Sequence, residues 1–268
     1  NFSNPDAALG DKRSEPDQPH PFLSDLKVRQ ALSMAIDRNA IDEQLYGPSG
    51  TPTCNIVGAP ANLVSPNTSC DRDVEGAKAL LAEAGWTDTN GDGTVDKDGY
   101  EAKLLFTTSI NPLRQGEQAI VKQNLEEIGV GVELKSVDAG VFFGGDPGNP
   151  DTLNKFYADM QMYTNSPDSP DPTFYFSGWL CEKVNSAANQ WQGGNAGRYC
   201  NKDFDALYDQ YTKEFDPAKR VELAIALNDF LVNDVVVIPL INRQTPSAKA
   251  KDLEGPNYNS FDGNIWNT

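Results

Sequence analysis

Between Leu113 and Val137 the spacing of apolar residues changes from helical to alternating across a single glycine. Ile120, Val121, Leu125 and Ile128 recur on one side of a helical wheel, and the helix is expected to end at Gly129. Residues 130–137 (VGVELKSV) then alternate as a half-buried strand. Helices alternate with single strands along the chain in this way, which argues for a layered α/β domain.

The same punctuation continues on both sides. Asp25 caps a helix over about 25–36, with Val28, Ala31, Leu32, Ala35 and Ile36 on its apolar face and Arg29, Gln30, Ser33 and Asp37 on the other. A second helix is expected over about 38–46. A Pro/Gly-rich loop runs from Gly47 to Cys70. The next helix starts after Asp71 or Asp73 and stops at Gly85. Strands are expected at Tyr100–Thr107, 158–164 and Val235–Ile241. Asp203–Glu214 reads as helical, and Asp216 with Pro217 opens a further helix reaching about Asn233. The expected organisation is an N-terminal arm or hinge remnant (1–20), one lobe (21–241) with a mixed sheet flanked by helices, and a polar tail (242–268).

Charge narrows the function. The 22 basic and 39 acidic residues give a net −17, so nucleic acid and anionic membrane surfaces are not expected partners. No stretch approaches the ~20 apolar residues of a membrane span. No signal peptide is present, as expected of a mature or trimmed fragment. The four cysteines form two local pairs, Cys54/Cys70 and Cys181/Cys200, with no zinc spacing. Two disulfides and an oxidising compartment are the simplest reading, each bridge stabilising by ~3 kcal/mol; four buried thiols are the alternative. The single histidine, His20, lies between two prolines, and no nucleophile, zinc-protease or phosphate-loop motif occurs. No catalysis is expected.

Several segments carry a family likeness. They are residues 21–38 (PFLSDLKVRQALSMAIDR), 73–86 (DVEGAKALLAEAGW), 117–137 (EQAIVKQNLEEIGVGVELKSV), 168–172 (DSPDP) and 197–222 (GRYCNKDFDALYDQYTKEFDPAKRVE). In this order they resemble the second lobe of family 5 extracellular solute-binding proteins, the peptide receptors of ABC importers. The resemblance implies a periplasmic-binding-protein-like lobe of a two-lobed, monomeric receptor, periplasmic or extracellular and membrane-anchored. Its first lobe is expected before Asn1, its partners are the importer's membrane subunits, and its ligand is a small peptide or other small solute held by hinge closure. In peptide-binding members the Asp three residues before the Asp-Pro pair meets the ligand's α-amino group; by position that is Asp168. The neighbouring candidates are Asn165, Tyr163 and Met162. Asn165 stands where some relatives have an aromatic residue, and Met160 and Met162 stand where some have an arginine. Phe142, Phe143, Trp179 and Trp191 are further aromatics for a pocket or for the core.

One further constellation resembles turns that occur in this family and also a cation loop. Asp88, Asn90, Asp92, Thr94 and Asp96 follow the spacing of a calcium loop with Gly93 at its turn, although position 12 is Gly99. The stretch reads either as a structural calcium site or as a solvated turn. In the first case the chain would suit a calcium-stabilised extracellular module that binds a protein or a glycan.

Overall fold

The computed structural model describes residues 1–244 and 250–252. It is an α/β lobe built around a three-stranded parallel sheet. Strand β1 (Asp96–Lys97) and strand β2 (Tyr100–Glu101) form a separate antiparallel ribbon. Strands β3 (Lys103–Ser109), β4 (Gly131–Val137) and β5 (Met160–Met162) make the sheet, in the order β4-β3-β5. Parallel and antiparallel pairings therefore both occur, in two sheets and not in one.

Local chemistry explains the helix ends. Helix α1 (Leu26–Ala35) is capped by Asp25, which accepts from the Lys27 amide, and α2 (Arg38–Ile41) by Asp37. From Asp42 to Tyr46 the chain widens into a π-type turn, so the expected helix over 38–46 is split. Helix α3 (Val74–Glu83) starts at Asp73 and is closed by Gly85 at φ +85°. Helix α4 (Pro112–Glu127) is capped by Asn111 and ends before Gly129 at φ +83°. It links β3 to β4, which pair from Lys103↔Gly131 to Ser109↔Val137. Short helices α5 (Ala139–Phe142) and α6 (Thr173–Ser177) precede α7 (Lys202–Lys213) and α8 (Pro217–Asn233), the last capped by Asp216.

Two cores result. Phe22, Leu32, Leu81, Trp86, Leu104, Val121 and Leu125 join α1, α3, α4 and the sheet. Phe176, Tyr199, Phe204, Tyr211, Leu227 and Leu231 join α6, α7 and α8. Both disulfides link sequence neighbours, Cys54–Cys70 and Cys181–Cys200.

Three readings need correction. Val235–Ile241 is not a strand of the sheet. Pro239 cannot donate, and the segment instead lies along residues 49–53, with Thr53 N donating to Leu240 O (3.0 Å) and Asn242 N to Thr51 O (2.8 Å). Arg29 does not face solvent. It is 8% exposed, donates to Leu23 O and Ser24 O, and pairs with Asp234 at 2.7 Å, where it satisfies the end of α8. His20 is also oriented, despite its flanking prolines. Its Nε2 lies 2.8 Å from Asp159 Oδ1, while Nδ1 accepts from the amides of Phe22 and Leu23. Residues 1–20 fold back on the lobe through a Ser3–Pro19 bridge and a bond from Phe2 N to Gly197 O. The expected tail, apart from 242–244 and 250–252, lies outside the described residues.

Candidate functional site

Strand β5 is an edge of its sheet, and a cavity of about 380 Å³ runs along it. Met160, Gln161 and Met162 line it, and it continues past the end of β5 over Tyr163, Thr164, Asn165 and Ser166. Phe106, Val121, Leu23 and Leu32 supply apolar wall, with Val236–Ile241 opposite in the chain order. Arg114 and Glu117 reach it from the first turns of α4, which follows the carboxyl end of β3. Tyr46 and Arg243 complete the polar lining there. Crevices outside the carboxyl ends of parallel strands are the usual ligand sites of open α/β sheets, because loops and helix starts converge there. An apolar trough with a few polar groups is the composition such sites have.

The polar groups are ordered by their neighbours. Arg114 Nη1 donates to Ser109 Oγ at 2.5 Å, and its guanidinium lies 5.6 Å from the centre of the Phe143 ring. The Tyr46 hydroxyl donates to Glu117 Oε1. Burial pushes the Glu117 carboxyl above the usual range, opposed by Tyr46, Arg243 and Arg114. Burial, with Glu117 beside it, pushes the Tyr46 phenol up as well.

The residues picked out in the sequence separate into distinct places. Tyr163 (40% exposed) and Asn165 line the cavity, and Met162 lines it while packing into the core. Asp168 lies two residues beyond Ser166, in an exposed loop outside the lining. Its neighbour Asp171 is a structural residue: it accepts from Tyr211 and Thr173 and pairs with Arg220 at 2.8 Å. Of the other aromatics, Trp179 lines the cavity, Phe142 and Trp191 are buried, and Phe143 is exposed under Arg114. Tyr46, Arg114, Glu117 and Arg243 were not legible as site residues. Glu117 sits among the apolar positions of α4, and only the three-dimensional approach of residues 42–46 reveals its setting.

The Asp88–Asp96 loop is knit by its own amides. Asp88 accepts from Gly91, Asp92 and Gly93, Asp92 accepts from Thr94, and Asp96 accepts from Thr89. These bonds, the Thr94 amide first, hold the exposed Asp92 carboxyl below the usual range. Among the described residues no three His, Cys, Asp or Glu side chains group as a metal ion would need. Also among the described residues, no helix is long and apolar enough to cross a membrane.

Comparison with known proteins agrees with this geometry. The sequence profile of the bacterial extracellular solute-binding proteins, family 5 Middle, matches residues 4–187. The oligopeptide-binding protein AppA of Bacillus subtilis (strain 168) is 38% identical over 125 residues, 44% of this chain and 22% of that protein. The glutathione-binding protein GsiB of Escherichia coli (strain K12) is 26% identical over 233 residues, 85% of this chain and 41% of that protein. The crystal structure of an oligopeptide-binding protein from Thermus thermophilus, complexed with a pentapeptide, superposes with a TM-score of 0.72 at 24% identity. It covers 82% of this chain and 38% of that one. The chain thus spans less than half the length of these relatives. With two thirds of its length matched by the profile and the fold shared, the chain belongs to family 5 of the bacterial extracellular solute-binding proteins.

Proposed function

We propose that the chain forms one wall of the ligand cleft in an importer receptor that captures small peptides or similar solutes. The observation that carries this reading is the trough beside β5, apolar along its length and polar at the carboxyl ends of the strands. Two of the relatives are an oligopeptide-binding and a glutathione-binding protein, which supports a peptide-like ligand. Capture proceeds by hinge closure against a second lobe. Asp168, on the exposed loop next to the trough, meets the ligand's ammonium in the closed state, where a charge-assisted bond is shielded from water. Tyr163, Asn165 and Met162 contact the ligand backbone and flank. The loaded receptor then docks on the membrane subunits of an ABC importer, and a membrane anchor of the full-length protein holds it near them. No catalytic step is involved. No feature of the described residues favours the calcium-stabilised module.

The test is calorimetry on the protein at the full length its gene encodes. Trialanine and glutathione are expected to bind at micromolar Kd or tighter, and maltotriose not at all. Binding of maltotriose without either peptide would overturn the peptide reading and leave the cleft in place.

A further inference from the structure

Two guanidinium groups stand at the polar end of the trough with one carboxylate between them. Arg114, in the first turn of α4, and the exposed Arg243 both line the cavity. Other arginines of the lobe have an acid each: Arg29 pairs with Asp234, Arg72 with Glu127 and Arg220 with Asp171. Among the described residues Arg114 makes no such pair. Its Nη1 donates to Ser109 Oγ at 2.5 Å, and its guanidinium lies 5.6 Å from the centre of the Phe143 ring. A guanidinium has five N–H donors in a planar fork, so one bond to a serine leaves most of them for another acceptor. Glu117 is the one acid among the lining residues, and its Oε1 is taken by the Tyr46 hydroxyl. It acts on both arginines through space and offsets one of their two charges; burial raises its carboxyl, which weakens that offset. The start of α4 adds positive potential of its own. This end of the trough is therefore positive, in a chain whose total charge is −17. The walls beside it, Phe106 and Val121, are apolar and strengthen a charge pair formed there.

We propose that Arg114 and Arg243 form a subsite for a carboxylate of the captured solute, either its terminal carboxyl or an acidic side chain. This inference rests on the peptide reading above and adds to it a recognition of negative charge that Asp168, assigned to the α-amino group, does not provide. Ser109 and Phe143 fix the plane of the Arg114 fork, which can then give two parallel bonds to the carboxylate oxygens. Arg243 supplies the second positive charge from the opposite wall of the chain order.

The experiment is calorimetry at pH 7.5 on the protein at its full gene-encoded length, in two arms. One arm compares trialanine with its C-terminal amide and reads the terminal carboxyl. The other compares Ala-Glu-Ala amide with Ala-Gln-Ala amide and reads an acidic side chain. A preference of at least thirtyfold for the carboxylate form is expected in one arm. Arg114→Gln is expected to reduce it below fivefold, and Arg243→Gln, at an exposed position, to reduce it at least threefold. Glu117→Gln removes the opposing charge, so the preference is expected to hold or rise. Absence of a preference in both arms would overturn the inference and leave the peptide reading standing. So would a preference that both arginine variants retain in full, or one that Glu117→Gln abolishes. Failure of all four peptides to bind would overturn this inference and the peptide reading together.

Discussion

Asp168 and Asp171 stand in one short loop in different settings. Asp171 is tied down: burial pushes its carboxyl up, but the hydroxyl and amide of Thr173, with Arg220 and Tyr211, pull it down to about 2. It fastens the start of α6 to α7 and α8. Asp168 is exposed, and its contact with a ligand belongs to the proposed function. Asp171→Ala is therefore expected to lower stability by about 1–2 kcal/mol, read as a drop in Tm, through lost hydrogen bonds. Asp168→Ala should leave Tm within about a degree. In the full-length protein it should weaken a peptide with a free amino terminus by about 2–5 kcal/mol, since the closed cleft then holds an unpaired ammonium. The acetylated peptide should lose less than threefold, and equal losses for both peptides would return Asp168 to a turn role. Asp168 was picked out by its spacing from an Asp-Pro pair, and it lies outside the cavity lining. Glu117 was not legible, because its meaning depends on Tyr46, a residue on another element.

Elements whose ends are set by local chemistry were the ones the sequence disclosed. The caps Asp25, Asp73 and Asp216, and the stops Gly85 and Gly129, act within one helical turn of themselves. Val235–Ile241 misled because apolar content says nothing about which backbone lies alongside, and its partner is the loop at 49–53. His20 is the sharpest case of a long-range element contact. It is fully buried, and burial lowers its pKa from 6.5 although Asp159 opposes the shift. Its Nδ1 accepts two amides, so the folded protein holds it neutral. The unfolded chain takes up the proton first as pH falls through 6.5, so this contribution to stability is present above that pH and is lost on acidification. Between pH 7 and 5.5 the wild type should lose stability with a slope of up to about 1.4 kcal/mol per pH unit, and His20→Asn should flatten it. Chemical denaturation across that range measures it. The disulfides give a second prediction at this scale. Non-reduced peptide mapping should recover the two neighbour pairs, and reduction should cost about 3 kcal/mol for each. Cys181–Cys200 should open first, because Cys200 is exposed. The Asp88–Asp96 loop, already satisfied by its own amides, should give the same Tm in excess calcium as in chelator. A calcium-dependent rise that Asp92→Ala removes would instead establish a cation site.

For the whole molecule, the proposed function makes the trough one wall of a cleft, whose closure would dry its polar end. The 268-residue chain alone should therefore bind trialanine at least tenfold more weakly than the full-length protein does, in parallel titrations. Comparable affinities would place the entire site on this lobe. The fold class was readable from helices alternating with single strands. The trough was not, since it is bounded by segments as distant as Leu23, Phe106, Met160 and Ile238. A different consequence follows from the buried arginines. Arg29 is held by Asp234, and Arg38 donates to Pro239 O at 2.8 Å, 205 and 201 residues further along. Polypeptide leaves the ribosome at about 5–20 residues per second, so the first helices wait roughly 10–40 s for their anchors to be synthesised. During that interval the two guanidinium groups hold only nearby carbonyls, those of Leu23 and Ser24 for Arg29 and of Ser33 and Cys70 for Arg38. The two ends of this lobe are therefore joined late: α1 and α2 gain the contacts that fix them only when residues 234–239 have been made, so the lobe completes its core after most of it has been synthesised.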